Sequence, residues 1–224
     1  MPWTRLCWIV AVFVAALAMA ACAPIQPPVT PPAGDEQSPV SGELPPAVEY
    51  NLGDAVIIQD RFPADSRFRE MPVRLNGVIA APTTDRPAPV VLILHGTHPG
   101  CPEDEMGVDR WPCDPEVERA NYRGFGYLVR ELAAQGYVAL AININAENTF
   151  GFGEPTPGER LEQVVTLHLD ALAAASAGGA NDFGVELAGR AAVSKLSLFG
   201  HSRGGEAAVA LARDWASAPD DADR

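Results

Sequence analysis

One serine in this chain is set up by its neighbours to act as a nucleophile. The run Val193–Ser194–Lys195–Leu196–Ser197–Leu198–Phe199 leads straight into Gly200–His201–Ser202–Arg203–Gly204–Gly205. The first stretch is β-prone. After the glycines, Ala207, Ala208, Ala210, Leu211 and Trp215 recur at helical spacing through Ser217. The expected context is strand, tight turn, helix, the setting in which a G-x-S-x-G pattern serves as a nucleophile elbow. In such a turn the serine takes a positive φ and its hydroxyl stands clear of the sheet. Gly200 and Gly204 are then required, because a Cβ at either position would strike the adjacent strand or helix. The chemistry implied is attack of Ser202 Oγ on an acyl carbon through an acyl-enzyme. The bland alternative is a βα turn whose small residues serve packing alone.

A serine hydroxyl is a weak nucleophile at neutral pH without a base to take its proton. Between Ser202 and Arg224 there is no histidine, and Asp214, Asp220, Asp221 and Asp223 fall on the expected helix or on a polar tail. The four histidines all precede or adjoin the serine. His95 is expected to pack within its loop, His201 to fill space beside the turn, and His168 to sit on the apolar face of a helix. His98 alone stays open as a proton carrier. Read this way, the chain is apparently truncated after the nucleophile helix, and the acid and base of a complete site are missing.

The elements that must position Ser202 follow from periodicity. Asp54–Asp60 and Pro72–Ala81 read as two early strands, antiparallel neighbours. Val90–Leu94 is a continuous apolar run bounded by proline and by His95–Gly96, as in a strand buried on both faces. Asn121–Gln135 sets Tyr122, Phe125, Leu128, Val129 and Leu132 on one helical face, with Gly136 as its stop. Tyr137–Ile142 is the next strand, Glu159–Ser176 the next helix, and Val193–Phe199 the strand before the serine. Strands alternating with helices predict an α/β fold with a mostly parallel sheet and flanking helices. The segment Asn143–Pro157, with Asn145, Asn148, Phe150 and Phe152, follows the carboxyl end of a strand, where sites in open α/β sheets gather. The acidic loop Gly100–Ala120, with Trp111, is either a flap over the site or a surface insertion.

From about residue 50 to 217 the chain resembles the α/β-hydrolase family. Three pieces carry the resemblance: Val90–Thr97 with its His95–Gly96 pair, Gly136–Tyr137–Val138–Ala139, and Gly200–Gly205. It is closest to serine esterases of the dienelactone- and polyester-hydrolase kind, and covers only their N-terminal portion. The resemblance implies an oxyanion hole built from two backbone N–H groups, which by position are those of Thr97 and Arg203. It also implies a small-molecule or polymeric ester as substrate, with no cofactor and no metal. The competing reading is a non-catalytic, surface-tethered binding module derived from such a fold.

The N-terminus reads as a targeting segment. Arg5 precedes an apolar run from Leu6 to Ala21, which suits a signal peptide over residues 1–21 better than a membrane span. Ala18–Met19–Ala20 fits a signal-peptidase site, while Leu17 to Cys22 resembles the lipobox of bacterial lipoproteins, in which the cysteine is lipidated. An exported protein, lipid-anchored at Cys22 on the outer face of a bacterial membrane, is the preferred reading; simple secretion and a retained anchor are the others. Residues 22–49 carry eight prolines after Cys22 and cannot bury enough apolar surface to fold, so they read as an extended tether. A partial hydrolase domain then spans 50–217 and a polar tail 218–224. Cys101 and Cys113 remain as a disulfide pair suited to an oxidising compartment. No Cys/His cluster has zinc-like spacing. The net charge of −13 argues against nucleic acid as a partner.

Overall fold

The computed structural model describes residues 43–60, 62–149 and 158–217. The expected signal peptide, Cys22, most of the expected tether, Phe150, Phe152 and the tail from residue 218 lie outside the described residues. Five strands form one sheet: β1 (Val48–Ile58), β2 (Glu70–Ala80), β3 (Ala88–Leu94), β4 (Val138–Ile142) and β5 (Ala191–Gly200), in the order β1-β2-β4-β3-β5. β3, β4 and β5 are parallel, while β2 runs antiparallel to both β1 and β4. The helices are α1 (Gly126–Ala134), α2 (Asn145–Thr149), α3 (Gly158–Ser176) and α4 (Arg203–Ser217), with a 3₁₀ turn over Asn121–Phe125 leading into α1. This is the expected α/β fold with flanking helices, its sheet mixed overall and parallel at its centre.

Alternation along the central strands divides the core into two layers. Val90, Leu92 and Leu94 of β3 and Val138, Leu140 and Ile142 of β4 join Leu161, Val164, Leu172 and Leu211 from α3 and α4. On the other face Val91, Ile93, Ala139 and Ala141 meet Tyr122, Val129 and Ala133. The two alanines of β4 leave room for α1 to approach closely, whereas the larger residues on the opposite face fill the space beneath the longer helices. The chain leaves β3 to one side to form β4 and crosses back to form β5 on the other. The loops that follow β3 and β5 therefore leave from adjacent carboxyl ends, the place where sites in open α/β sheets gather.

Three boundaries differ from expectation. β1 begins at Val48, ahead of Asp54 and inside the expected tether. Val48, Tyr50 and Leu52 face the core up to Gly53, where the pairing with β2 shifts register, and Ala55 and Ile57 face it afterwards. The bulge inverts the parity of the alternation, so the strand does not read as one period. The expected helix over Asn121–Gln135 is an α-helix only from Gly126. The short helix α2 stands in a segment for which the sequence reading names no element.

Cys101 and Cys113 form the expected disulfide, with Cα atoms 5.7 Å apart. Asp109 accepts the Gly100 and Cys101 N–H groups at 2.6 and 3.1 Å, and Arg119 N–H donates to Gly100 O at 2.8 Å. Trp111 donates from Nε1 to Pro72 O at 2.8 Å and lies beside the Arg74 guanidinium. Its indole thus packs against β2, two strands from β3. The predicted consequence of removing the bridge is a loss of about 3 kcal/mol, from the loop entropy it withholds from the unfolded chain. Urea unfolding of Cys101→Ser/Cys113→Ser beside the parent checks this, and an unchanged midpoint refutes it.

Candidate active site

Ser202 has φ +55°, the only non-glycine residue with positive φ among the described residues. That conformation is strained for a residue with a Cβ and persists only where the surroundings enforce it. Here they do. β5 ends at Gly200 and α4 starts at Arg203, so the chain reverses within two residues. A Cβ on Gly200 would run into the Gly204 carbonyl, and one on Gly204 into the carbonyls of Leu94 and His95. His201 N–H donates to Leu94 O at 3.1 Å, which ties the turn to the end of β3. The Ser202 side chain is left exposed.

The loop after β3 comes up against this serine. A Cβ on Gly96 would sit 3.1 Å from Ser202 Cβ and 3.0 Å from His201 Nδ1. The sequence stretches His95–Thr97 and Gly200–Gly204 are therefore brought together, as the resemblance implied. In the first turn of α4, Gly204 N–H donates to His201 O at 3.0 Å and Gly205 N–H to Ser202 O at 2.8 Å. The N–H groups of Thr97 and Arg203 have no acceptor among the described residues. Arg203 N–H lies at the start of a helix of 15 residues, where the aligned peptide dipoles favour negative charge.

The histidines take up different posts. His95 is buried, its Nδ1 donating to Gly96 O at 2.8 Å and its Nε2 accepting from Ile144 N–H at 3.0 Å. Both ring nitrogens are occupied, and the ring is a brace. His168 is wholly buried on α3, where its Nδ1 shares a hydrogen bond with Tyr50 Oη at 3.0 Å while Nε2 has no partner among the described residues. His98 and His201 are exposed. No histidine is hydrogen-bonded to Ser202 Oγ among the described residues.

Burial lowers the pKa of His168 to about 3 and that of His95 to about 4. Both are neutral in the fold, whereas in the unfolded chain each takes a proton near 6.5. The unfolded state thus binds more protons below that value. Stability is full above pH 6.5 and falls as the pH drops towards the folded pKa values. At pH 5 each ring is expected to cost about 2 kcal/mol. Chemical denaturation at pH 8 and pH 5 should show this loss, and His168→Gln should remove about half of it. A stability curve flat across this interval rules it out.

Around these residues lies a polar rim of which the sequence singled out Asn145 and Asn148 but not Glu118, Glu147 or Arg160. Glu118 is buried, paired with Arg74, and accepts from Asn143 Nδ2 at 2.7 Å and Asn145 Nδ2 at 2.9 Å. Arg160 of α3 pairs with Glu147 of α2 at 3.0 Å in a buried contact. Asn148 of α2 reaches the loop after β3, accepting from Thr97 Oγ1 at 3.1 Å and donating to Gly96 O at 3.2 Å. Each bond but the Glu147–Arg160 pair spans tens of residues in sequence, and none lies within a single element, so nothing local announced it. Among the described residues, no group of His, Cys, Asp and Glu is arranged to hold a metal ion.

Solved structures similar to this chain include two of a glucuronoyl esterase from Solibacter usitatus, at 14% and 16% identity with TM-scores of 0.40 and 0.37. They match 78% and 77% of this chain and 50% of their own length. A dipeptidyl peptidase 4 from Porphyromonas gingivalis is similar at 18% identity and a TM-score of 0.29, over 75% of this chain and 19% of its own. This chain spans about half the length of the first structures it matches, and far less of the last. No family model matches the sequence, and no curated protein does.

Proposed function

We propose that this chain carries the nucleophile and the oxyanion donors of a serine hydrolase acting on carboxylic esters, with an acyl-enzyme on Ser202. The observation that supports it most is the positive φ of Ser202 between two glycines that have no room for a Cβ, with Gly96 against its side chain. Attack of Oγ on the ester carbon places the developing negative charge on the acyl oxygen. Two N–H groups without other acceptors, those of Thr97 and Arg203, are at hand to receive it. Deprotonation of Oγ requires an imidazole that no described residue offers at hydrogen-bond distance. p-Nitrophenyl acetate turnover by the 224-residue chain, by Ser202→Ala and by a longer chain that brings an acid and a histidine tests the reading. Turnover indifferent to Ser202 in every form overturns it.

The absence of a histidine bond to Oγ among the described residues favours a second reading, a non-catalytic binding module on the hydrolase-type sheet. In that case Ser202→Ala leaves both ligand binding and turnover unchanged.

The protein is further proposed to be exported and held at the outer face of a bacterial membrane through lipid on Cys22, with the proline-rich segment as tether. Among the described residues no helix is long and apolar enough to cross a membrane, and the Cys101–Cys113 disulfide suits an oxidising compartment. Cys22→Ala should move the mature protein from the membrane fraction to the soluble fraction on immunoblots. Wild-type protein found wholly in the soluble fraction would favour plain secretion.

A further inference from the structure

The aim of an oxyanion donor is set by whatever holds its peptide plane. In a trans peptide the carbonyl and the N–H point in opposite directions, so fixing Gly96 C=O also fixes Thr97 N–H. Gly96 O accepts two hydrogen bonds, from His95 Nδ1–H at 2.8 Å and from Asn148 Nδ2–H at 3.2 Å. Asn148 Oδ1 accepts the Thr97 hydroxyl at 3.1 Å. The orientation of the amide follows from the chemistry of its partners. A carbonyl oxygen only accepts, so the NH₂ must face Gly96 and the oxygen must face the hydroxyl. One side chain thus clasps both residues of the peptide.

The clasp stands on a firm base. Asn148 N–H donates to Ile144 O at 3.1 Å, and Ile144 N–H in turn donates to His95 Nε2 at 3.0 Å. Next to Asn148, Glu147 is pinned by Arg160 in a buried ion pair. Three residues earlier, Asn145 Nδ2 donates to Arg119 O and to Glu118. The remaining face of the loop is Gly96 against Ser202. A peptide held on its carbonyl side and free on its N–H side is poised towards substrate.

We propose that Asn148 is a positioning residue that, together with His95, aims the Thr97 N–H at the acyl oxygen of an ester attacked at position 202. The inference rests on the ester-hydrolase reading of Ser202. It assigns Asn148 no contact with substrate; its effect passes through the Gly96–Thr97 peptide.

The test separates donor geometry from deprotonation of the serine by changing the nucleophile. In the full chain carrying Ser202→Cys, with Cys7→Ser and Cys22→Ser so that position 202 holds the one thiol outside the disulfide, a thiolate forms without a neighbouring imidazole. It attacks the carbonyl carbon of p-nitrophenyl acetate, p-nitrophenolate leaves with the electron pair, and the acetyl group stays on sulfur. The burst of p-nitrophenolate from pH 7 to 10, with one added acetyl by mass spectrometry, gives an acylation rate and the midpoint of thiol ionisation. The parent thiolate is expected to react at least about tenfold faster than glutathione, since even one well-placed donor is worth a large factor. Adding Asn148→Ala or Thr97→Val should slow acylation about tenfold at an unchanged midpoint, whereas Thr97→Ser, which restores the hydroxyl, should recover most of the rate that Thr97→Val loses. A parent thiolate no faster than glutathione overturns the ester-hydrolase reading. A fast parent whose rate Asn148→Ala and Thr97→Val leave alone overturns only the role of Asn148, as does a slowing accounted for by a shifted midpoint. If Asn148→Ala loses its thermal transition, Thr97→Val decides, because it removes a single exposed hydroxyl.

Discussion

Gly204→Ala is expected to lower the unfolding free energy by about 3 kcal/mol, the upper range for forcing an atom into a packed site. The added methyl would lie on the carbonyls of Leu94 and His95. These are backbone atoms at the end of a central strand and cannot swing aside as a flexible side chain does. Relief requires α4 to draw away from β3, which also moves Ser202 from Gly96. For a domain of this size the loss corresponds to roughly 10 °C in melting temperature. Gly205→Ala is the control within the same turn. Its methyl would sit 3.2 Å from Gly200 O, and a helical alanine gains up to about 1 kcal/mol over glycine. That variant should change stability by no more than about 1 kcal/mol. Equal melting temperatures for the two variants would show that the close approach of β3 and α4 does not set the turn.

The contrast between these two glycines shows how far the sequence could be read. Gly200, Ser202 and Gly204 stand at a strand-to-helix junction that local pattern alone discloses, because the strand, the turn and the helix are each encoded within about twenty residues. β3 and β4 were legible for a related reason: strands buried on both faces must be apolar throughout. β1 was half concealed, since the bulge after Asn51 turns its apolar residues from one parity to the other. The start of α1 was obscured by Gly124 and Gly126, which periodicity alone carries through. α2 is five residues long, and its place depends on the Glu147–Arg160 pair and on His95 Nε2, contacts made across the fold. The bonds of the rim around Glu118 were hidden on the same account. A buried carboxylate and three asparagines carry no periodic signature, and only the return of β4 beside β3 makes them neighbours.

The largest effect is expected in turnover. Because no described histidine is bonded to Ser202 Oγ, p-nitrophenyl acetate hydrolysis by residues 1–224 should stay within a few-fold of the Ser202→Ala control. The elbow supplies position, and in the proposed reading the N–H groups of Thr97 and Arg203 supply charge stabilisation, but among the described residues no histidine is hydrogen-bonded to Ser202 Oγ to take its proton. His95 cannot take it, because its Nδ1 proton is given to Gly96 O and its Nε2 lone pair to Ile144 N–H. His168 lies in the core against Tyr50. What remains after a triad loses a member is on the order of 10³–10⁴ over water, which for an activated ester is hard to tell from background. Bringing an acid and a histidine to Oγ in a longer chain should raise turnover by about 10⁴-fold or more, and Ser202→Ala should abolish the gain. Strong turnover dependent on Ser202 in the chain as it stands would mean that a base is already within reach. His98, exposed in the loop beside Thr97, is the residue whose replacement by alanine would then have to remove it.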